Sequence, residues 1–355
     1  MKNNYRKLGD YIQPVDIRNS DLKVSHLLGL SIEKCFIESI ANTIGTDFRP
    51  YKIVKRGQFA YGPVTSRNGD KITIALLKEA DVCIISSSYS VFEITDTTKL
   101  LPEYLMLWFS RPEFDRYARY KSHGSVREIF DWDEMCRVEL PVPDLKEQEK
   151  IVNTYNAITK RIQLKQKINE NLEKTAQLIY KEMFEKNTSN WQDGCIGDIL
   201  QLQRGHDLPR SEMKSGCIPV TGSTEIIGYH NEITTQSPVI VMGRSGNIGN
   251  PRIYFCDCWV HNTALYVKQF FDSDPIWVFY LLKNLNYSNF SGGSAVPTLD
   301  RKVIHSHSMK IPPNELQKSF SNKVRILLLQ IDENKKEISK LQELKQLVIS
   351  RISGM

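Results

Sequence analysis

The chain has 355 residues, 41% hydrophobic and 25% charged, which gives room for two or three domains with cores of their own and excludes a mini-protein stapled by disulfides or metal. No apolar run approaches the roughly 18 residues of a membrane-spanning helix, the opening MKNNYRKLGDYIQ lacks the apolar centre of a secretory leader, and seven cysteines, an odd number, fit a reducing compartment, so a cytoplasmic location is expected. The net charge of +6 is no bulk field for nucleic acid, because acidic and basic residues balance from Met1 to Leu145 and from Asn190 to Pro312, and the surplus lies on Lys146 to Ser189 and from Pro313 onward.

In the first segment the short β-like runs Ile72 to Leu77, Val82 to Ser86 and Val91 to Ile94 precede a helix-like stretch from Pro102 to Phe114, the pattern of an α+β domain. Asn68-Gly69, within Ser66 to Asp70, predicts a tight hairpin turn. Leu140 to Pro143 stops regular structure, and Asp144 with Glu147 predicts a capping box opening a long helix. That helix carries Ile151, Tyr155, Ile158, Ile162, Leu172, Ala176, Ile179 and Met183 at steps of four and three, the a/d signature of a helix that needs a helical partner.

The second segment, Trp191 to Pro312, repeats the plan. Ile196-Gly197-Asp198-Ile199 echoes Leu8-Gly9-Asp10-Tyr11, Val239 to Met242 runs into Arg244-Ser245-Gly246-Asn247 where the first half has Arg67-Asn68-Gly69, and Pro275 to Leu282 matches Pro102 to Phe109. Cys256 and Cys258, one residue apart, suit one strand face better than zinc. From Ser122-His123-Gly124-Ser125 onto Ser291-Gly292-Gly293-Ser294 a single offset holds, carrying Pro143 onto Pro312 and Gln148 onto Gln317. The same offset turns the first seam into a second: Phe320, Val324, Leu327, Ile331, Leu341, Val348 and Ile352, broken at Lys345, with Ile338 added where the first helix has Asn169.

A tandem duplication follows. The expected fold class is α+β: two tandem α/β domains, residues 1–143 and 189–312, separated by spacer helices at 144–188 and 313–355 that pair as an antiparallel coiled coil with an internal pseudo-twofold repeat. At 1.5 Å per residue each helix runs roughly 55 Å, too long for the core of one small domain. Lys165, Asn169 and Asn334 interrupt the seams with polar groups, which are expected to weaken the pair while fixing its register.

No catalytic signature is present: no phosphate loop, no GxSxG elbow, no HExxH and no dinucleotide fingerprint. Asp144 and Glu149 with Lys150 resemble a nuclease site only superficially, since Asp144 and Glu147 already serve as helix caps, and Asn250-Pro251-Arg252-Ile253-Tyr254 reads as a turn into a strand. The aromatics Trp108, Trp277, Phe279 and Tyr280 read as core.

The candidate DNA contacts are Arg67 and Asn68 with Arg244, Ser245 and Asn247, beside glycines that allow close backbone approach; the arginine fork matches guanine O6 and N7. Each arginine is equally readable as a solvated turn residue. The Ser-x-Gly-Ser loops, with Ser122, Ser125, Ser291 and Ser294, are either phosphate cradles or plain tight turns. Lys121, His123 and Arg127 flank the first loop, and Arg204, His206, Tyr229, His230 and Asn231 are polar readers elsewhere in the second half.

Together these features resemble the specificity subunit of type I restriction-modification systems. The residues that carry the resemblance are Leu140-Pro141-Val142-Pro143-Asp144-Leu145-Lys146-Glu147-Gln148-Glu149-Lys150-Ile151 before the long helix, the Ser-x-Gly-Ser loops, Gly243 to Gly249, and Ile218-Pro219-Val220 with Ile227-Gly228-Tyr229. The second boundary, Ile311 to Gln317, departs from the pattern with Leu316 where Glu147 stands, which implies a slightly different helix start. The resemblance implies a non-catalytic, sequence-specific subunit in which each recognition domain reads one half of a bipartite double-stranded DNA target in the major groove. It further implies helices that fix the spacing and dock two modification (methyltransferase) subunits. No cofactor is expected in this chain; S-adenosylmethionine would belong to the modification partner, and ATP and Mg to restriction subunits where these join. Two other classes stay open on the residues alone: a coiled-coil interaction scaffold, and a DNA-modifying enzyme with an unrecognised active site.

Overall fold

The computed structural model describes residues 5–39, 45–66, 68–124, 127–186, 189–292 and 298–352. The chain forms two compact units, residues 1–162 with 340–355 and residues 163–339. Two long helices, Leu145–Phe184 and Asn314–Arg351, give a segment to each unit.

The first unit is built on an antiparallel sheet in the order Ile12–Val15, Ser90–Ile94, Phe59–Tyr61, Ile74–Leu76. Side chains alternate across a strand with a period of two. Phe59, Tyr61, Ile74 and Phe92 therefore enter the core that holds the helix Pro102–Phe109, while Ala60, Ala75 and Val91 pack on Val54, Cys83 and Ile85 behind the sheet. Burial on both faces is why these strands read as continuous apolar runs. The stretch expected to stay helical to Phe114 breaks after Phe109 and restarts as Pro112–Lys121. Pro112 has no N–H and pushes Arg111 out of the helical region, to φ −78° and ψ 138°. Asn68-Gly69 is not a two-residue hairpin; Gly69, at φ +61°, lies within the wide connection 62–73 between Tyr61 and Ile74.

The second unit repeats the sheet: Leu200–Arg204, Ala264–Phe270, Val239–Gly243, Gly249–Tyr254, again all antiparallel. Leu202, Ile240, Met242 and Leu265 face the core with helix Pro275–Lys283, and Val239, Val241, Ala264 and Tyr266 face a smaller cluster. Asn250 to Tyr254 is itself part of a strand rather than a turn leading to one. Cys256 and Cys258 do not share a strand face: Cys256 is exposed in a bend, and Cys258 is buried and bridges Thr235. The units diverge in their smaller sheets. Lys52–Lys55 and Val82–Ile85 pair antiparallel, whereas Ile218–Thr221 lies between Ile226–His230 and a parallel Trp259–Val260.

Each helix segment joins its own unit's core. In the first unit Ile151, Tyr155, Val348 and Ile352 pack with Pro102–Phe109, Ile158 and Ile162 are buried, and Lys345 lays its ammonium 4.8 Å from the Tyr155 ring centre. In the second unit Leu172, Ala176, Ile179 and Met183 meet Phe320, Val324, Leu327 and Ile331. Ile338 and Leu341 are half-buried. The seam is wider than its a/d positions: Val152, Tyr180, Phe184, Leu328 and Ile349 are buried too, because each helix packs on a globular core as well as on its partner.

The polar interruption is real and paired. Asn334 is 3% exposed, donates to Asn169 (2.8 Å) and accepts from Lys165 (2.9 Å), and Lys165 also meets Glu337 at 2.7 Å. Lys165 and Asn334 are equivalents under the sequence offset. Their direct bond shows this stretch of the antiparallel pair in a symmetric register.

At the helix starts, Asp144 caps the first through Glu147 N–H (2.9 Å), while the Glu147 carboxylate turns to Lys150. Buried Gln148 accepts from Leu101 N–H (2.9 Å) and donates to the carbonyls of Lys99 (2.9 Å) and Pro143 (2.8 Å). Its equivalent Gln317 accepts from Asp274 N–H (2.9 Å) and donates to Pro312 O (3.0 Å). No described helix is long and apolar enough to cross a membrane.

Candidate nucleic-acid interface

At the tip of the first unit, strand-like bridges tie the wide loop to the segment after helix Pro112–Lys121. Val64 and His123 both bridge Ile129, and Phe130 N–H donates to Pro63 O at 2.8 Å. Thr65, buried, donates to Ser122 Oγ (2.9 Å), and Ser122 Oγ donates in turn to Ala118 O (2.7 Å). Ser122 is thus a structural tie. His123 N–H is likewise used, on Ile129 O. Gly124, at φ +137°, closes the turn where a Cβ would lie 2.1 Å from Arg127 O. Ser122 Oγ and the His123 N–H are thus engaged within the turn, while the His123 ring is exposed.

What this tip offers outward is the exposed pair His123 and Arg127, half-buried Asn68, and Lys121, whose ammonium stands 3.9 Å from Glu134. Asn68 donates back to Val64 O at 3.2 Å. Sequence reasoning missed Tyr120, which is 81% exposed beside these groups, an aromatic face free for stacking. Its signal was an aromatic next to the basic run Arg119 to Lys121. Arg67, Ser125 and Ser294 lie outside the described residues.

The second unit closes its tip with the same bonds. Gly292 pairs with Thr298 as His123 does with Ile129, Ser291 pairs with Leu299, and Leu299 N–H donates to Arg244 O at 2.9 Å. The last bond corrects the proposed equivalence: Arg244 takes the place of Pro63, not of Arg67. The connection 62–73 is longer than 244–248, so similar composition in the two loops does not mark equivalent positions. Ser245 shares a hydroxyl contact with Thr298 (3.3 Å), and exposed Asn247 accepts from Asn250 (3.0 Å).

Arg244 does not stand by itself. With Arg204, at the end of its strand, and Arg301, first residue of helix Arg301–His305, it lines a cavity of about 320 Å³. Burial, then the neighbouring Arg204 and Arg301 charges, push the Arg244 guanidinium below its ordinary range. His305 is likewise held down by burial and by Arg301, and its Nε2 accepts from Leu202 N–H at 2.9 Å. Arg301 was missed because it follows a helix-capping aspartate, Asp300, and in sequence reads as an ordinary helix start.

The other second-half candidates divide. His206 is exposed, held by its N–H to Val260 O (2.7 Å), and Gly205 before it passes so close that a Cβ would meet His261 O at 2.2 Å. Tyr229, 57% exposed, and Asn231 belong to a different sheet edge from the arginines. His230 is 3% exposed, accepts from Lys214 N–H (3.0 Å) and packs edge-on to Trp259, so it belongs to the interior rather than to a reading surface. Among the described residues no group of three or more His, Cys, Asp or Glu is placed to hold a metal ion.

The family model of the type I restriction modification DNA specificity domain matches residues 54–174 and again 188–343. The MjaIX type I restriction enzyme specificity subunit of Methanocaldococcus jannaschii is 22% identical over 297 residues, 71% of this chain and 68% of that protein. The HindI specificity subunit of Haemophilus influenzae is 26% identical over 135 residues, 38% of this chain and 29% of its own length. The crystal structure of a type I restriction-modification S subunit from M. genitalium shares the fold, with a TM-score of 0.66 at 15% identity over 98% of this chain and 95% of that one.

Proposed function

The chain belongs to the type I restriction-modification DNA specificity family, whose members recognise DNA rather than act on it chemically, and from that premise we propose that each unit reads one half of a bipartite DNA target. The observation that carries the reading is the repeated sheet order, with one set of junction bonds and two different tips. A duplication that keeps its frame and changes its edges suits a molecule presenting two unlike reading surfaces, in which base contacts specify and phosphate contacts position. The antiparallel helices act as the spacer, their register held by Asn169, Asn334 and Lys165.

The same helices supply the docking faces for modification subunits. Leu178 and Leu347, equivalents under the offset, are 66% and 55% exposed, away from the seam. Leu164, Ile168, Ile326, Leu329 and Leu344 add apolar surface of the kind that marks partner sites. Matching outward leucines on the two helices fit two copies of one partner, which bring S-adenosylmethionine; ATP and Mg enter only with restriction subunits. The decisive measurement is methylation sequencing of DNA from cells holding this chain and its modification partner, repeated with segment 191–312 exchanged for that of a relative. One half of the methylated motif should change while the other half and the gap stay fixed. A wholly new motif, or an altered gap, would sink the reading.

A further inference from the structure

Resting on that DNA-reading assignment, we propose that Arg204, Arg244 and Arg301 form a clamp for the DNA backbone phosphate, present in the second unit and missing from the first. Three guanidinium groups lining one cavity of about 320 Å³ repel each other. Among the described residues none of the three has an ion-pair partner. Asp300, the one carboxylate on the cavity wall, caps its helix through Lys302 N–H at 2.8 Å. Arg244 Nε is buried with no acceptor, and Arg204 spends only Nε, on Asn262 O at 3.4 Å. A cluster of fixed like charges with open donors is stabilised by an anion with several oxygens, which a phosphate supplies. A guanine edge accepts two hydrogen bonds but neutralises no charge, so it fits the triad less well.

The strand and bridge registers identify what the first unit has instead. Arg204 pairs with Leu265 in a sheet whose counterpart ends with Val15 on Val91, which puts Asp16 at the matching position. The shared tip bond puts Pro63 at Arg244, and the paired caps Asp131 and Asp300 put Trp132 at Arg301. An acid, a proline and an aromatic replace three arginines. Asp16 is itself already engaged with Arg18 (3.0 Å) and Lys52 (3.4 Å), and Trp132 packs on Phe92. The second unit therefore carries three clustered guanidinium groups that the matching positions of the first unit lack.

The test uses the full chain assembled with its modification partner and a duplex carrying the motif read from methylated cellular DNA, titrated across a range of KCl concentrations. R204A, R244A and R301A should each weaken binding roughly tenfold near 0.1 M salt and lower the salt slope by about one, leaving the methylated motif unchanged; R301K should retain most of the binding. Because Arg204 is exposed and makes one long bond, R204A reports on DNA without endangering the fold. Unchanged affinity and slope, or a changed base in the motif, would overturn the clamp. A wild-type complex without sequence preference would instead overturn the DNA-reading assignment beneath it.

Discussion

At the foot of the first unit Gln148 fastens the long helix to the start of helix Pro102–Phe109, and at the foot of the second Gln317 does the same for helix Pro275–Lys283. At the tips the matching positions hold Asp16, Pro63 and Trp132 in one unit and Arg204, Arg244 and Arg301 in the other. The feet do one mechanical job twice, and a buried amide that must satisfy several backbone groups has few substitutes. The tip positions are exposed or half-buried, so side chains there change at less cost to a core than the buried amides do. Between the extremes lies a paired exchange at the foot itself: Asp274, bonded by Ser321 Oγ and capping Ile276 and Trp277 N–H, stands where the first unit has Leu101, and Ser321 stands where it has Val152. A polar pair has replaced an apolar pair without altering the junction.

The largest effect should come from removing the shared amide. Q148L strands three bonded groups and Q317L two, so we expect losses of about 4 and about 3 kcal/mol in urea denaturation; an effect below about 1 kcal/mol in either variant would break the claim that the feet are equivalent and obligatory. A smaller loss, about 1–2 kcal/mol, is expected for D274A, which removes the cap of helix Pro275–Lys283. The double change D274L with S321V copies the first unit and should recover most of that loss, and failure to recover would mean the two pairs are not interchangeable.

Smallest is a pH effect confined to the second unit. His305 lies below its ordinary value of 6.5, and Cys136 occupies the matching place in the first unit. Between the lowered folded value and 6.5 the unfolded chain binds more protons, so this contribution is present above 6.5 and is lost as pH falls through that window. Denaturation midpoints from pH 8 to pH 5 should fall more in the wild type than in H305Q, whereas parallel curves would remove the asymmetry.

The capping Asp144, the paired long helices and the polar seam at Lys165, Asn169 and Asn334 were all legible in the sequence. Each rests on local spacing, and the backbone geometry of a helix repeats without reference to the rest of the chain. The site was less legible. Similar neighbours align Arg67 with Arg244 in the sequence, but loop lengths differ and only hydrogen-bond register shows Pro63 in that place. His230 carried the polarity of a reader, yet a parallel strand that sequence could not foresee brings Trp259 against it and buries it.

What the sequence by itself determined was the duplication and the heptad seam, because periodicity and a constant offset are written along the chain. Only the tertiary structure decided which basic side chains act together. Arg204, Arg244 and Arg301 are far apart in sequence, and they share one cavity because strand Ala264–Phe270 pairs with both Leu200–Arg204 and Val239–Gly243, while Leu299 is hydrogen-bonded to Arg244. Such convergence depends on long-range pairing and loop length, which no local pattern encodes.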